Sequence, residues 1–337
     1  MRQVWITRVG DPSVLQVREA ADPTPAAGEV RVQVEAAGVN FADVMARMGL
    51  YPDAPPLPAV VGYEVAGTID AVGDGVDAAR VGERVVAMVR FGGYSSAVVA
   101  PSTQVVRRPD TMDAATGAAI PVVYATAWMM IEEMGRVRAG DRVLVHSAGG
   151  GVGLAALDLL LRRGAVAVGV ASQGKHATLL ERGYARVVDG RARPIEEAFA
   201  GEPGFDLILD PVGGASWASG LRLLSAGGRL ACFGFSANND GETRNLFRVA
   251  RNLAAVPWWA LSPVGLMNAN KGVLGVNMGH LWDEGPRVTG WLREVLALWE
   301  EGVVRPAIHA EVPFDRAPEA HQILHGRRNL GKVLLRP

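Results

Sequence analysis

Residues His146–Leu154 read HSAGGGVGL, and this stretch decides the fold. The apolar run RVLVH before it predicts a strand, and VGLAALDLLLRRG after it predicts a helix that ends at Gly164. A bare turn between strand and helix lets a phosphate approach the backbone, where the free N–H groups of the helix start can bind it. The spacing Ser147-x-x-Gly150-x-x-Gly153 therefore predicts a dinucleotide-binding loop, with Ser147 in place of the usual first glycine. The alternative is a tight turn that only packs helix on strand.

The segments around this loop predict an α/β protein. Further apolar strands (AVAVGVAS, FDLILD and GRLACFG) alternate with helices such as HATLLERG. Fully apolar strands between helices are typical of a doubly wound parallel sheet that is covered on both faces. The chain up to about residue 112 is instead rich in Pro, Gly and short Val-rich strands, which predicts a small β-barrel-like unit. Beyond about residue 260 an amphipathic helix (VTGWLREVLALWEEG) and a closing strand (LGKVLLRP) follow.

Composition excludes several classes of protein. The 337 residues are 49% hydrophobic and 20% charged, with a formal net charge of −1, so neither disorder nor nucleic-acid binding is expected. The single cysteine, Cys232, allows no intrachain disulfide and no Cys-rich metal site. No apolar run approaches the ~20 residues that span a bilayer. The opening MRQVWITRVGD lacks a signal-peptide core. We therefore expect no membrane span and a cytoplasmic location.

The end of the second predicted strand indicates the cofactor. About 20 residues past the glycine loop, an NAD-preferring site places Asp or Glu against the ribose hydroxyls. This chain has Ala171, Ser172 and Lys175 there. None of them repels a 2′-phosphate, and Lys175 can pair with it, so we predict NADPH rather than NADH. The alternative for Lys175 is a solvated residue at a helix start.

Four motifs occur in the order of a known superfamily: AAGVNFADV (36–44), GYEVAGTIDAVGDGV (62–76), GDRVLVHSAGGGVG (140–153) and NLGKVLL (329–335). By these motifs the chain resembles the medium-chain dehydrogenase/reductase superfamily and, within it, the zinc-independent quinone oxidoreductases. Additional motifs are similar to the vesicle amine transport protein-like branch: DPVGG (210–214), RNLF (244–247), NANKGVLGVNMGHL (268–281) and RRNLGKVLL.

The resemblance implies a domain organisation. A GroES-like catalytic domain would be formed by residues 1–121 and 262–337, and a Rossmann dinucleotide-binding domain by residues 122–261. The active site would lie in the cleft between them. Members of the family are often homodimers through the strand that corresponds to GVLGVNM (272–278).

The same resemblance bears on metal binding. Zinc-dependent relatives place a Cys where this chain has Asn40 and a His where it has Tyr63. His321 and His325 are spaced to share one face of a helix, but that helix reads as polar, so we predict a solvated face rather than a metal site. We expect no metal.

Hydride chemistry without a metal favours a conjugated acceptor. In a quinone or an α,β-unsaturated carbonyl, charge spreads onto a distant oxygen, and the protein then needs hydrogen-bond donors rather than a Lewis acid. Our catalytic candidates are Asn40, Tyr51 and Tyr63. The resemblance puts Asn40 beside the nicotinamide, although it could only cap a loop. Tyr51 donates a proton or packs. Tyr63 faces the substrate or fills volume.

The resemblance also supplies the remaining cofactor residues. With the loop and the strand-end residues, the predicted cofactor set is Asn40, Thr126, Gly150, Gly151, Val152, Ser172, Lys175, Phe233, Gly234, Ser236, Val276 and Asn329. Two positions depart from the family pattern. Asp158 replaces a Gln and is predicted on a helix surface. Gly190 replaces a Tyr that many NADPH-dependent relatives carry, and Arg191 or Arg193 could compensate.

Three alternatives stay open for the segment VPWWALSPVGLMN (256–268), which could cover a substrate pocket, form a subunit interface or touch a membrane. Two stay open for the function beside the reductase. The protein could bind a nucleotide in an interaction or regulatory role without turnover. It could also be a narrow enoyl reductase of natural-product biosynthesis.

Overall fold

A computed structural model of the chain describes residues 1–239 and 245–337, which form two compact units. The first unit contains residues 1–125 and 278–337. The second contains residues 126–239 and 245–277. Arg244, the first residue of the RNLF motif, lies outside the described residues.

The strands in chain order are β1 (Arg2–Ile6), β2 (Leu15–Glu19), β3 (Glu29–Val39), β4 (Glu64–Val72), β5 (Arg84–Met88), β6 (Ala97–Pro101), β7 (Val105–Arg107), β8 (Arg142–His146), β9 (Val166–Val170), β10 (Arg186–Val188), β11 (Phe205–Asp210), β12 (Leu224–Cys232), β13 (Gly272–Gly275), β14 (Ile308–Pro313) and β15 (Lys332–Arg336). The α-helices are α1 (Phe41–Arg47), α2 (Ala114–Ala118), α3 (Pro121–Trp128), α4 (Gly151–Arg162), α5 (His176–Glu181), α6 (Ile195–Ala198), α7 (Ala215–Leu223), α8 (Leu246–Ala254), α9 (Pro263–Ala269), α10 (Gly285–Glu300) and α11 (Ala317–His325).

The first unit is built on a seven-stranded sheet of order β14-β15-β3-β4-β5-β7, in which β6 also pairs with β3. All of these pairs are antiparallel except β14 with β15. Strand β3 shows why the sequence forms it: Val30, Val32 and Val34 are buried, and the residues between them face outward, which is the period of two of a strand with one covered face. This is the predicted β-rich, GroES-like unit.

The second unit is a six-stranded sheet of order β10-β9-β8-β11-β12-β13, and every pair in it is parallel. The order reverses between β8 and β11, because the chain first builds outward to β9 and β10 and then returns to build the other half. The predicted doubly wound, Rossmann-type sheet is confirmed. Its apolar strands are buried, as expected for a sheet covered on both faces.

The chain returns to the first unit later than the sequence suggests. Residue 262 is the predicted boundary, whereas α9 and β13 both belong to the second unit. The physical reason is the register of β13, which pairs in parallel with β12 from Gly272 opposite Arg229 to Gly275 opposite Cys232. The NANKGVLG segment thus completes the parallel sheet.

Asp158 corrects a second expectation. We predict it on a helix surface, but it is only 3% exposed, within a run of α4 that is buried from Gly153 to Leu160. Helix α4 is covered on more than one face, so the polar position that ordinarily marks a solvated side does not do so here. Among the residues described, no helix is both long and apolar enough to cross a membrane.

Candidate active site and cofactor site

The glycine loop joins β8 to α4 in the geometry that a phosphate needs. Ser147 has a positive φ of 55°, and Gly150 caps the helix without a side-chain hydrogen bond. At Gly153 a Cβ would lie 2.6 Å from the carbonyl oxygens of both Ser147 and Ala148, so only glycine fits. Gly151 and Val152, half-buried, carry first-turn N–H groups that cannot bond within the helix. This bare helix start fits a dinucleotide pyrophosphate.

The other predicted cofactor residues of the second unit also follow strand ends. Ser172 and Lys175 follow β9, Val276 follows β13, and three residues follow β12, namely Phe233, Gly234 and Ser236. In a parallel sheet the carboxyl ends of the strands share one edge, and ligands bind there, beside the point where the strand order reverses. The structure therefore brings these residues and the glycine loop to a single edge.

Lys175 lies half-buried at this edge. Its pKa is lowered, first by burial and then by the charge of Arg191. Arg191 is therefore close enough to reinforce a positive field. The carboxylate of Asp189 turns to the backbone, where it accepts from the N–H groups of Gln173 (3.2 Å) and Arg191 (2.9 Å). The edge thus presents two cations and a carboxylate that is bound to backbone.

Asn40 begins α1 in the first unit and is 8% exposed. Its side-chain Nδ2 donates to Oε1 of Glu64 at 2.8 Å, and its Oδ1 accepts from Nζ of Lys332 at 2.8 Å. Neither Glu64 nor Lys332 is among the predicted site residues. A signal for Lys332 exists, because it is a charge directly before the apolar run VLL of strand β15, and it is buried.

Tyr51 and Tyr63 are brought together. Their rings meet edge to face with centroids 6.4 Å apart, and the ring of Phe91 is tilted against that of Tyr63 with centroids 5.4 Å apart. Tyr63 is buried, and its hydroxyl has no hydrogen-bond partner of good geometry among the described residues. Burial first, then the charge of Asp43 and the neighbouring Tyr51, raise the pKa of Tyr63 far above its usual range. Its phenol stays neutral and remains a donor. No sequence pattern indicates Phe91.

The first unit also contains a buried chain of polar groups centred on Asp43. Asp43 accepts from the N–H groups of Asn40 (2.8 Å) and Gly62 (3.1 Å) and from the hydroxyl of Tyr94 (2.9 Å). The Tyr94 hydroxyl also lies 3.2 Å from Nε2 of His321. Despite these donors, burial raises the pKa of Asp43 to about 7. Through these bonds Asp43 orients the start of α1 and the turn at Gly62.

His321 is the clearest correction to the sequence analysis. We predict it on a solvated helix face, but it is fully buried and packs edge to face on Tyr94. Burial first, and then the charges of Arg47 and His325, lower the pKa of His321 to about 3. His325 is half-buried, with Nδ1 3.2 Å from a guanidinium nitrogen of Arg47. Helix α11 packs against α1 and β15, and this packing covers the face that reads as polar.

Two predicted residues remain, Thr126 and Asn329. Thr126 is buried within α3. Asn329 precedes β15, and its side chain donates to the Gly331 carbonyl at 2.7 Å. In the chain as described, no three His, Cys, Asp or Glu side chains are grouped to hold a metal ion.

The apolar segment 256–268 is open to solvent at several large side chains. Trp258 is 65% exposed, Trp259 75% and Met267 67%. Phe247 on the preceding α8 is 80% exposed. Large apolar side chains that are exposed in one stretch of chain are typical of an interaction site when they form a shared patch.

Comparison with known proteins gives consistent relatives. Residues 26–110 match the family described as alcohol dehydrogenase GroES-like domain, and residues 182–335 match zinc-binding dehydrogenase. The synaptic vesicle membrane protein VAT-1 homolog of Rattus norvegicus is 38% identical over 97% of this chain and 81% of its own length. The quinone oxidoreductase of the same organism is 30% identical over 99% and 97%. The crystal structure of Escherichia coli quinone oxidoreductase complexed with NADPH superposes with a TM-score of 0.86 at 26% identity, covering 100% of both chains.

Proposed function

The chain belongs to the medium-chain dehydrogenase/reductase superfamily, in its quinone oxidoreductase-like branch, and from this membership we propose a zinc-independent, NADPH-dependent reductase. Its acceptor would be a hydrophobic quinone or α,β-unsaturated carbonyl. When bound, NADPH supplies the hydride. The chain's own residues bind the dinucleotide, hold the acceptor and stabilise the oxygen on which negative charge develops.

The observation that carries this proposal is the Tyr63 hydroxyl. It is buried and neutral, and it lies near the Tyr51 side chain without a hydrogen bond of good geometry, although a buried hydroxyl that lacks a good hydrogen bond costs free energy. The rings of Tyr51 and Phe91 beside it offer flat apolar surfaces. A planar conjugated acceptor supplies what is missing, because its oxygen accepts from Tyr63 while its ring system packs on the aromatic side chains. A preorganised donor of this kind stabilises developing negative charge.

The cofactor assignment is supported by the strand edge of the second unit. Gly151 and Val152 would bind the pyrophosphate through their backbone N–H groups. Lys175, with Arg191, would bind the 2′-phosphate of NADPH. Arg191 thereby replaces the contribution that a Tyr at position 190 makes in relatives.

Zinc independence is supported by the available donors. Asn40 and Tyr63 occupy the positions where zinc-dependent relatives have Cys and His, and neither is a preferred zinc ligand. Asn40 is moreover engaged with Glu64 and Lys332 through both atoms of its amide.

The first experiment measures NADPH oxidation by the purified protein with an ortho-quinone and, separately, a simple enone. NADH, added zinc and a chelator are the comparison conditions. We expect chelator-insensitive turnover with NADPH and much weaker turnover with NADH. Tight NADPH binding without turnover on a broad acceptor panel would favour the alternative in which the protein binds a nucleotide in an interaction or regulatory role. Turnover of only one narrow class of enone would favour the alternative of a narrow enoyl reductase of natural-product biosynthesis.

Lys175→Ala and Arg191→Ala test the 2′-phosphate site. Each variant should raise KM for NADPH roughly tenfold or more, the loss of one charge-assisted contact, and leave KM for NADH unchanged. Arg251→Ala, which removes an exposed arginine from α8 of the same unit, is the matched control and should change neither. Equal effects on both cofactors would contradict the assignment.

A homodimer and a cytoplasmic location complete the proposal. Strand β13 ends the order of the parallel sheet as described, so its outer edge can pair with the same strand of a second copy. Light scattering on the eluting protein tests the dimer, and cell fractionation tests the location.

A further inference from the structure

Glu64 is a fully buried carboxylate that three elements share. Oε1 accepts from Nζ of Lys332 at 2.6 Å and from Nδ2 of Asn40 at 2.8 Å, and Oε2 accepts from the backbone N–H of Val122 at 2.7 Å. Gly38 makes room for it, because a Cβ there would collide with the Glu64 side chain. The carboxylate thus joins the start of α1, the first residue of β15 and the first turn of α3.

Lys332 is 4% exposed and uses its ammonium on three acceptors. Besides Glu64, these are Oδ1 of Asn40 at 2.8 Å and the carbonyl oxygen of Val39 at 3.0 Å. Burying such a pair costs free energy that an apolar pair of similar size would not. Stability alone is therefore a weak reason for the pair. Unlike an apolar pair, the two charges can orient a third, polar group by hydrogen bonds.

That third group is the Asn40 amide. An ammonium only donates and a carboxylate only accepts, so the two charges hold Oδ1 toward Lys332 and Nδ2 toward Glu64. A flip of the amide would set its NH₂ against the ammonium and its oxygen against the carboxylate. In the residues described, one N–H of Nδ2 remains without a partner. The pair thus determines that Asn40 offers a ligand a donor in one direction.

We infer that Lys332 and Glu64 are positioning residues that act through Asn40. This inference rests on the proposed function and on the expectation from the family resemblance that the Asn40 amide lies beside the nicotinamide. Removing Lys332 frees the amide to rotate, and a misdirected donor costs turnover rather than dinucleotide affinity.

A double-mutant cycle tests the inference. Lys332→Met should lower kcat roughly tenfold and leave the Kd of NADPH within about threefold. In an Asn40→Ala background the same substitution should lower kcat less than about twofold, because the group through which it acts is gone. Arg108→Met is the matched control. It also removes a buried cation from the first unit, one that bonds Glu35 and the Met112 carbonyl, and it should not lower kcat tenfold.

Losses that multiply in the double variant would overturn the inference, since Lys332 would then act independently of Asn40. If Lys332→Met does not fold, Lys332→Met combined with Glu64→Gln leaves no unpaired charge, and the same comparison with Asn40→Ala applies.

A readout without turnover separates this inference from the proposed function. In protein with ¹⁵N-labelled asparagine, the Asn40 side-chain amide is assigned by its loss in Asn40→Ala. Its two proton signals should be distinct and slow to exchange in the wild type, and should shift and exchange faster in Lys332→Met. Unchanged signals would overturn the inference even in an active enzyme. If the signals change in Lys332→Met but the wild-type protein is inactive on every acceptor, the result would support the inference that Lys332 orients the Asn40 amide and would refute the proposed function.

Discussion

Two buried tyrosines of the first unit differ in whether the hydroxyl makes a hydrogen bond of good geometry, and this difference separates a structural role from a functional one. Tyr94 is fully buried, donates to Asp43 and contacts His321. Tyr63 is buried, and its hydroxyl makes no hydrogen bond of good geometry. A paired buried hydroxyl contributes to stability, whereas an unpaired one costs free energy, so the second is expected where a ligand completes the site.

Tyr63→Phe should therefore raise stability and lower activity together. Without a ligand, the variant should gain about 1 kcal/mol in the free energy of unfolding, because an unsatisfied hydroxyl is removed. With a quinone or an enone, kcat should fall roughly tenfold to a hundredfold, while the Kd of NADPH is unchanged. Urea denaturation and steady-state kinetics measure the two effects.

Tyr94→Phe is the matched control, since it removes a hydroxyl that has partners. It should lose about 1–3 kcal/mol of stability, because a buried carboxyl loses a donor. A destabilised Tyr63→Phe with normal kcat would show that the Tyr63 hydroxyl is structural.

The sequence predicts residues better than it predicts partners. Asn40, Tyr51 and Tyr63 are predicted from motif positions, and the structure brings the rings of Tyr51 and Tyr63 together. The sequence analysis misses three residues, Glu64, Lys332 and Phe91, because their roles depend on contacts between chain segments that are far apart in sequence. Lys332, for example, lies on the last strand, and its partner Asn40 lies at the start of α1. Only the fold brings them within 3 Å, and a single sequence holds no record of such pairings.

At the scale of elements, the β8–loop–α4 unit is predictable because local rules agree there. An apolar strand, a bare turn and a long apolar helix all point to the same structure. Gly153 is fixed by close backbone approach, with Ser147 and Ala148 carbonyl oxygens 2.6 Å from where a Cβ would lie. The same kind of reasoning fails for helix α11. Its polar residue His321 is buried against other elements, and the contact of His321 with Tyr94 cannot be read from periodicity.

Gly153→Ala tests the loop at this scale. The new methyl group meets rigid backbone, so the variant should lose roughly 1–3 kcal/mol of stability and bind NADPH more weakly. Gly290→Ala in α10 is the matched control, because nothing lies within 4 Å of its Cβ position. That variant should gain about 0.5–1 kcal/mol through helix propensity. Titration calorimetry measures NADPH binding and urea denaturation measures stability in both variants. Normal NADPH binding by Gly153→Ala would contradict the phosphate-loop assignment.

At the scale of the whole molecule, the structural class of each unit can be predicted from the change in composition and in strand–helix pattern along the chain. The boundary at which the chain returns to the first unit cannot. Segment 263–275 lacks the long apolar run of the inner strands. Strand β13 has four residues, and its place is fixed by pairing with β12 rather than by its own pattern. An edge strand needs less burial, so its sequence signal is weak.

Two buried groups give the molecule opposing responses to pH. The pKa of Asp43 is raised to about 7, so the folded protein holds this proton where the unfolded chain releases it, and the contribution is lost as pH rises through 7. The pKa of His321 is lowered to about 3, so the unfolded chain takes up a proton below about pH 6.5 that the folded protein refuses. The His321 contribution is therefore present at neutral pH and lost as pH falls.

His321→Gln isolates the second response. Glutamine can still bond Tyr94 but does not titrate, and Asp43 contributes alike to both proteins. Between pH 8 and pH 5 the wild type should lose about 2 kcal/mol of unfolding free energy relative to the variant, because 1.5 pH units below the unfolded pKa correspond to about that amount. Parallel urea denaturation of both proteins across this range measures the difference. Curves that stay parallel would mean that His321 takes up its proton in the folded protein, and that the contact of α11 with Tyr94 opens readily.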